Sequence, residues 1–305
     1  MKIAVVGTGA LGGWYAAMLA QAGNEVHCIA RSDHEVITRR GLVIKRQGQE
    51  RIVQVASAQP DARAVGPCEL VVVTTKSTSN AILPELLRPL VGPATLVLTL
   101  QNGMGNVEVI SQVLSFDRIV AGLCFVCINR TAPAYIDVTL AGYVRMAAAR
   151  GAINPAVDTC VRTFVAASID AAAEVSLEAV LWKKLCWNIP FNGLSIAAGA
   201  ITTDLILADP ALKARVRLLM EEVRAASIAR GCGFDEAHIQ RQFDVTVGMG
   251  PYRPSSLIDF VEGRDVEVEG IWGEPLRRGL AAGAEMPAIK QLITDIRTKL
   301  AQRGR

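Results

Sequence analysis

The sequence predicts an α/β fold in which an N-terminal Rossmann-type doubly wound sheet, residues 1–172, is followed by an all-helical C-terminal domain, residues 173–305. Three observations carry this expectation. The chain opens on a short β-type run that passes directly into a GxGxxG turn. Short β-rich runs then alternate with helical patterns through the first half, as parallel strands with helical crossovers require. From about residue 174 strand candidates almost vanish and long helical periodicities replace them.

In chain order, the strand candidates are 2–6 "KIAVV", 25–29 "EVHCI", 69–73 "ELVVV", 95–98 "TLVL" and 119–125 "IVAGLCF". Helical patterns lie between them near 10–22, 33–40, 78–88 and 105–114. The runs "AYIDV" and "YVRMAA", separated by the turn-like "TLAG", predict that the sheet ends in an antiparallel hairpin. Beyond the boundary, helices are expected at 176–199, 209–231, 235–248, 274–283 and 286–302, with Asp209-Pro210 as a start signal and Gly231 as a stop.

Composition narrows the function classes. A chain of 305 residues, 51% hydrophobic, has enough apolar material for two cores. Its 32 basic and 29 acidic residues leave a net charge of +3, with no basic run interleaved with aromatics, which argues against nucleic acid as a partner. No apolar run reaches the ~18 residues of a membrane span. The apolar start has the outline of a signal peptide, but its glycines belong to a folded motif, so the chain reads as a cytoplasmic protein beginning at its mature N-terminus. Seven scattered cysteines read as reduced side chains. Cys124 and Cys127 have C-x-x-C spacing, yet lie in an apolar β-type run without a second pair, so no metal or redox site is expected there.

Gly7, Gly9 and Gly12, with Ala10 and Leu11 between the last two, form the GxGxxG turn. The first glycine permits the tight turn, the second admits a pyrophosphate to the backbone, and the third lets helix pack on strand. The helix N-terminus behind them favours the negative charge of a dinucleotide. The second strand candidate is followed by Arg31, where an NAD site places an acid for the ribose hydroxyls; an arginine suits a 2′-phosphate, so NADPH is favoured over NADH. Asp33 competes for that role, but Ser32 and Glu35 have capping-box spacing for the next helix, which gives the segment a structural reason. Lys76 and Asn102 follow the third and fourth strand candidates, at the strand ends where such sheets bind ligands. Taken singly, each also reads as an ordinary loop residue.

Residues 182–192, "WKKLCWNIPFN", put Lys184, Asn188 and Asn192 on one stripe of a strongly apolar helix, with Ser195 nearly continuing it. A lysine among apolar side chains has a destabilised charge and can donate a proton, although many such lysines instead reach out to water. Lys183, about 100° round the helix, reads as solvated. Near the end, Ser255 or Ser256 opens a helix where hydroxyl and backbone donors can hold a carboxylate, and Glu267 follows with no better claim than Glu262 or Glu269. His27, His34 and His238 fall outside any substrate-type loop, and no cluster has metal-ligand spacing.

Taken in order, "GTGALG", "TTKS", "LQNGMGN", "WKKLCWN" and "SSLIDFVEGRDVEVE" resemble the ketopantoate reductase (2-dehydropantoate 2-reductase) family over nearly the whole chain. The resemblance implies an NADPH-dependent oxidoreductase of pantothenate biosynthesis that reduces a 2-oxo acid, with Lys184 as general acid and Glu267 binding the product hydroxyl. It also implies Asn188, Asn192, Ser255 and Asn102 at the substrate, Asn102 at the cofactor as well, and Arg31 and Lys76 near the 2′-phosphate. Three positions depart from the family pattern: Tyr252 and Thr202 stand where asparagines are usual, and Trp272 replaces the asparagine of an Asn-Gly pair. These changes are expected to alter the far side of the substrate, so another branched 2-oxo acid is an alternative to ketopantoate. The substrate is expected between the two domains. A nicotinamide enzyme acting on a 3-hydroxy acid or an opine shares this layout, and an NADPH sensor without turnover is a third reading. The apolar helices of the second domain are compatible with a homodimer.

Overall fold

The protein is described from a computed structural model covering residues 1–303, so the last two residues of the expected second domain lie outside the described residues. Two compact units form: Met1–Asn102 with Asn106–Leu177, and Glu178–Arg305 with Gly103–Gly105.

The first unit is built on a ten-stranded sheet. Its strands are β1 (Lys2–Val6), β2 (Glu25–Ile29), β3 (Leu42–Arg46), β4 (Gln49–Val53), β5 (Ser57–Gln59), β6 (Leu70–Val73), β7 (Leu96–Thr99), β8 (Ile119–Ala132), β9 (Tyr135–Ala148) and β10 (Asp170–Ala173). They run in the order β4-β3-β9-β8-β7-β6-β1-β2-β5, with β10 also paired to β9. From β8 to β5 every pairing is parallel, whereas β8–β9 and β3–β4 are antiparallel. Successive residues of β1 feed opposite faces. Ile3 and Val5 join Trp14, Tyr15 and Phe164, while Ala4 and Val6 join Leu83, Leu87 and Ile110. Burial on both faces explains why β1, β6 and β7 read as continuous apolar runs.

Two readings of the sequence change here. "TLAG" is not a turn: residues 135–148 form one strand, and the chain reverses instead around Pro133 and Ala134, where Ala134 has φ +56°. Gly142, inside that strand, takes φ +53° where the register with β8 slips, and a Cβ there would lie 1.6 Å from the Phe125 carbonyl oxygen. The glycine therefore marks a bulge within a strand. The Ser32–Glu35 capping box is also absent. The helix His34–Arg40 has Asp33 at its N-cap without a side-chain cap, and Ser32 donates its hydroxyl to Asp33. Strands β3, β4, β5 and β10 were not among the expected strands, although β3 opens with the apolar run 42–44; β4, "QERIV", is exposed at every residue but Val53.

The second unit is helical. Its helices are Leu177–Ala197 (Leu177 itself falling in the first unit), Thr203–Ala208, Pro210–Ala229, Glu236–Met249, Ser255–Val261, Glu274–Ala281 and Pro287–Arg303, with a π-helical turn at Glu269–Gly273. Asp209 caps its helix by accepting from the Ala211 and Leu212 amides at 2.8 and 3.1 Å, as the start signal predicted. Trp182, Phe191, Met220, Trp272 and Leu292 fill the core. The buried Glu222 accepts from the Ala288 and Ile289 amides at 2.7 and 2.8 Å, satisfying two orphan donors at the start of the last helix. Met104, from the segment that joins this unit, donates its amide to Gly270 O at 2.9 Å and packs into the same core.

Gly142→Ala is expected to cost about 1–3 kcal/mol, since the new Cβ meets a carbonyl in a backbone region that suits glycine. Urea denaturation of the variant measures the loss; an unchanged midpoint would contradict the assigned bulge.

Candidate active site

The phosphate loop has three glycines with three different surroundings. Gly7 takes φ +94°, donates its amide to Ile29 O at 3.0 Å and accepts at its carbonyl from the Thr74 hydroxyl at 2.6 Å. A Cβ on Gly12 would lie 2.0 Å from Gly7 O and 2.4 Å from Thr74 Oγ1, so only glycine lets the helix Ala10–Gln21 sit this close to β1. Gly9 has open space around its Cβ position and caps that helix with no side chain of its own. Ala10 and Leu11 supply the first helical residues behind it. Open backbone at Gly9, beside unpaired amides at a helix start, fits a pyrophosphate.

At the end of β2 Arg31 is exposed, with no hydrogen bond or ion pair to another described residue. Lys76 is half-buried and immediately precedes the single turn Ser77–Ser79 after β6. Asn102 is half-buried after β7 and accepts at its backbone carbonyl from Asn106 Nδ2 at 3.0 Å.

A chain of amides that sequence reasoning missed ties these two loops together. Gln101 Nε2 donates to Asn80 Oδ1 at 2.9 Å and more weakly to Thr75 Oγ1 at 3.4 Å. Asn80 Nδ2 in turn donates to Asn106 Oδ1 at 2.9 Å, and the Thr99 hydroxyl donates to Gln101 Oε1 at 3.0 Å. Buried amides of this kind hold a loop in one arrangement only if each is satisfied. Their signal in the sequence was the appearance of polar amides directly after an apolar strand, at "LTLQN".

In the second unit, the helix Leu177–Ala197 continues through Pro190, which has no amide to offer Cys186 O. Lys183 is exposed and Lys184 half-buried, as the helix geometry predicted. Asn188 is half-buried, Asn192 buried, and Ser195 fully buried with its hydroxyl oxygen lacking a hydrogen-bond partner among the described residues. Asn192 Oδ1 accepts from the Ser256 amide at 3.0 Å and from the Ser255 hydroxyl at 3.5 Å. This brings the helix stripe to the N-terminus of the helix Ser255–Val261, with Ser255 itself exposed. It also fixes the amide orientation, with the carbonyl end of Asn192 accepting and the NH2 end turned away from these donors.

The three glutamates that the sequence left equal now separate. Glu262 is exposed and pairs with Arg264. Glu269 is exposed, held by Arg277 at 2.9 Å and Arg297 at 2.8 Å, and its carboxyl is kept below the usual range chiefly by the bond from Arg277. Glu267 alone of the three is buried, 6% exposed, just before the π-helical turn. The expected effect of Trp272 on the substrate side is not what the structure shows. Its ring is fully buried and its indole N–H donates to Ile189 O at 2.9 Å, so this departure is one of core packing. Thr202, at the N-cap position of the helix Thr203–Ala208, donates its hydroxyl to the Asp204 carboxylate and makes no side-chain cap. Tyr252 is half-buried and meets Trp187 edge-on, with ring centroids 6.1 Å apart.

Comparison with known proteins agrees with these motifs. Residues 3–151 match the family model described as ketopantoate reductase PanE/ApbA, and residues 176–299 match its C-terminal model. The chain is 37% identical over 302 residues to a 2-dehydropantoate 2-reductase of Nostoc sp., covering 97% of this chain and 94% of that protein. Among solved structures, the 2-dehydropantoate 2-reductase of Geobacter metallireducens GS-15 superposes with a TM-score of 0.94 at 34% identity, covering 98% and 99% of the two chains. A D-mandelate dehydrogenase solved with NADH and anilino(oxo)acetate has the same fold, with a TM-score of 0.92 at 21% identity over 100% and 99% of the chains.

The glycine geometry makes a paired prediction. Gly9→Ala should leave the free protein within about 1 kcal/mol of its original stability, the cost of a poorer cap. It should weaken nicotinamide dinucleotide binding about 10-fold or more by blocking the phosphate approach. Gly12→Ala should instead destabilise the free protein by more than about 2 kcal/mol, because a Cβ collides with backbone. Thermal melts with and without cofactor separate the two, and equal effects of both variants on the free protein would refute the assignment.

Proposed function

This chain belongs to the ketopantoate reductase family, nicotinamide-dependent oxidoreductases, and on that premise we propose that it reduces 2-dehydropantoate (ketopantoate) to pantoate with NADPH. The observation that carries the reading is the stripe Lys184–Asn188–Asn192 on an otherwise buried helix, tied through Asn192 to Ser255 and Ser256. A buried helix carries such a stripe only at a cost in desolvation, which a ligand-binding role explains.

Gly7, Gly9, Ala10, Leu11 and Gly12 hold the pyrophosphate, and Arg31 and Lys76 receive the 2′-phosphate. Bound there, the nicotinamide supplies the hydride that reduces the keto carbon. The remaining chemistry belongs to the protein. Lys184 holds a proton at the keto oxygen and gives it up as negative charge develops there, so that the alkoxide never forms in full. Glu267 accepts from the product hydroxyl and supports Lys184. Asn188 and the NH2 end of Asn192 orient the substrate through neutral hydrogen bonds. Ser255 binds the substrate carboxylate, and Asn102, whose loop the amide chain fixes, positions substrate and cofactor.

Seven free cysteines suit a reducing compartment, and we place the reaction in the cytoplasm. Burial pushes the thiols of Cys28 and Cys160 up to about 12, leaving them inert as nucleophiles. No helix among the described residues is long and apolar enough to cross a membrane.

Lys184→Ala should lower kcat with ketopantoate by about 100-fold or more while leaving NADPH affinity unchanged, the pattern of a lost proton donor. Steady-state absorbance and a fluorescence titration of NADPH measure the two quantities. Undiminished turnover in this variant removes Lys184 from the mechanism.

A further inference from the structure

At the end of β2, two residues beyond Arg31, lies a carboxylate that a dinucleotide site could have used for the ribose. In a doubly wound sheet an acid at this position accepts from the ribose hydroxyls of NADH and repels the 2′-phosphate of NADPH. Asp33 is such an acid, yet it is buried and accepts four hydrogen bonds from three donors. Arg130 Nη1 donates to both of its oxygens, at 2.9 and 2.8 Å. The Ala134 amide donates at 2.9 Å and the Ser32 hydroxyl at 2.7 Å. Arg130 comes from the far end of β8, and Ala134 from the reversal into β9, so the β8–β9 connection clamps the end of β2. The rest of Arg130 is exposed, as is Arg31. With Asp33 neutralised by one guanidinium, Arg31, Asp33 and Arg130 together leave one net positive charge.

We propose that the Asp33–Arg130 pair sets cofactor choice: Arg130 and the β8–β9 reversal withdraw Asp33 from the ribose, so that Arg31 and the exposed edge of Arg130 face the 2′-phosphate. Arg130 is thus a positioning residue whose guanidinium also adds to the phosphate's electrostatic field. The proposal rests on the NADPH reading above, and it goes beyond that reading in assigning selectivity to a residue almost a hundred positions from Arg31. A phosphate that meets one free cation and a neutralised acid is attracted; the same phosphate meeting a bare carboxylate is repelled. NADH has no phosphate at that place and is indifferent to the loss of the cation.

The test is the ratio of kcat/KM for NADPH to that for NADH, measured on the full-length chain with ketopantoate. Arg130→Gln keeps a donor for Asp33 but removes the charge. The ratio is expected to fall about 10-fold or more, through a raised KM for NADPH with kcat and the NADH parameters little changed. Arg130→Lys, which keeps the charge, should hold the ratio within about 3-fold of the original. Asp33→Asn, which removes the repelling charge and leaves Arg130 in place, should raise the ratio, and it serves as the deciding variant if Arg130→Gln does not fold. A merely structural clamp would lower both kcat/KM values together and leave the ratio alone; that result in Arg130→Gln, or an unchanged or lower ratio in Asp33→Asn, overturns the proposal. An unmodified chain that already uses NADH as well as NADPH would instead defeat the NADPH reading itself, and with it this inference.

Discussion

A carbonyl oxygen on a buried asparagine cannot be left without a donor, and in the helical unit this requirement organises the rest. Asn192 lies in a strongly apolar helix, and the Ser256 amide that satisfies it fixes the start of the helix Ser255–Val261 against that helix. An unpaired buried amide costs ~1–3 kcal/mol, which is a large part of the stability of an ordinary domain. The same bond sets the orientation of the Asn192 amide, and so which end the proposed substrate would meet. One interaction therefore joins core stability to the proposed recognition of substrate. Trp272 works to the same end, its indole N–H holding the helix at Ile189 O one residue before Pro190.

In the sheet unit the controlling constraint is close backbone approach. The helix Ala10–Gln21 packs on β1 at a distance that admits no side chain at Gly12, and Thr74 bonds the Gly7 carbonyl from the neighbouring strand's end. The strand ends thereby become rigid, and the amide chain from Thr99 to Asn106 extends that rigidity into the loops bearing Lys76 and Asn102. Rigid strand ends carrying polar loops are what hydride transfer between two bound small molecules needs, because misplacement of the reacting atoms by an ångström is costly.

Much of this was legible in the sequence where one local rule governs. Burial on both faces made β1, β6 and β7 plain as continuous apolar runs, the Asp209-Pro210 cap marked its helix, and the glycine spacing predicted the tight turn between β1 and the helix Ala10–Gln21. Helix geometry separated Lys183 from Lys184 correctly. The missed features depend on partners far away in the chain. Strand β4 is polar because it edges the sheet, so it had no apolar signature to read. Gly142 looked like a turn because a bulge and a turn both call for positive φ, and only the pairing with β8 distinguishes them. Asp33 looked like a helix-cap neighbour, since Arg130 stands 97 residues away and cannot be inferred from spacing. Glu267 could not be told from Glu262 and Glu269 until the fold buried it and left the other two exposed.

The central claim is that the polar stripe of the helical unit and the phosphate turn of the sheet unit serve one reaction, the reduction of a 2-oxo acid by NADPH. A steady-state assay of the purified chain with ketopantoate, run in parallel with NADPH and NADH, tests it most directly. Ketopantoate-dependent oxidation of NADPH is expected, with pantoate formed mole for mole and NADH markedly less effective. Tight binding of NADPH with no oxidation on adding ketopantoate would contradict it.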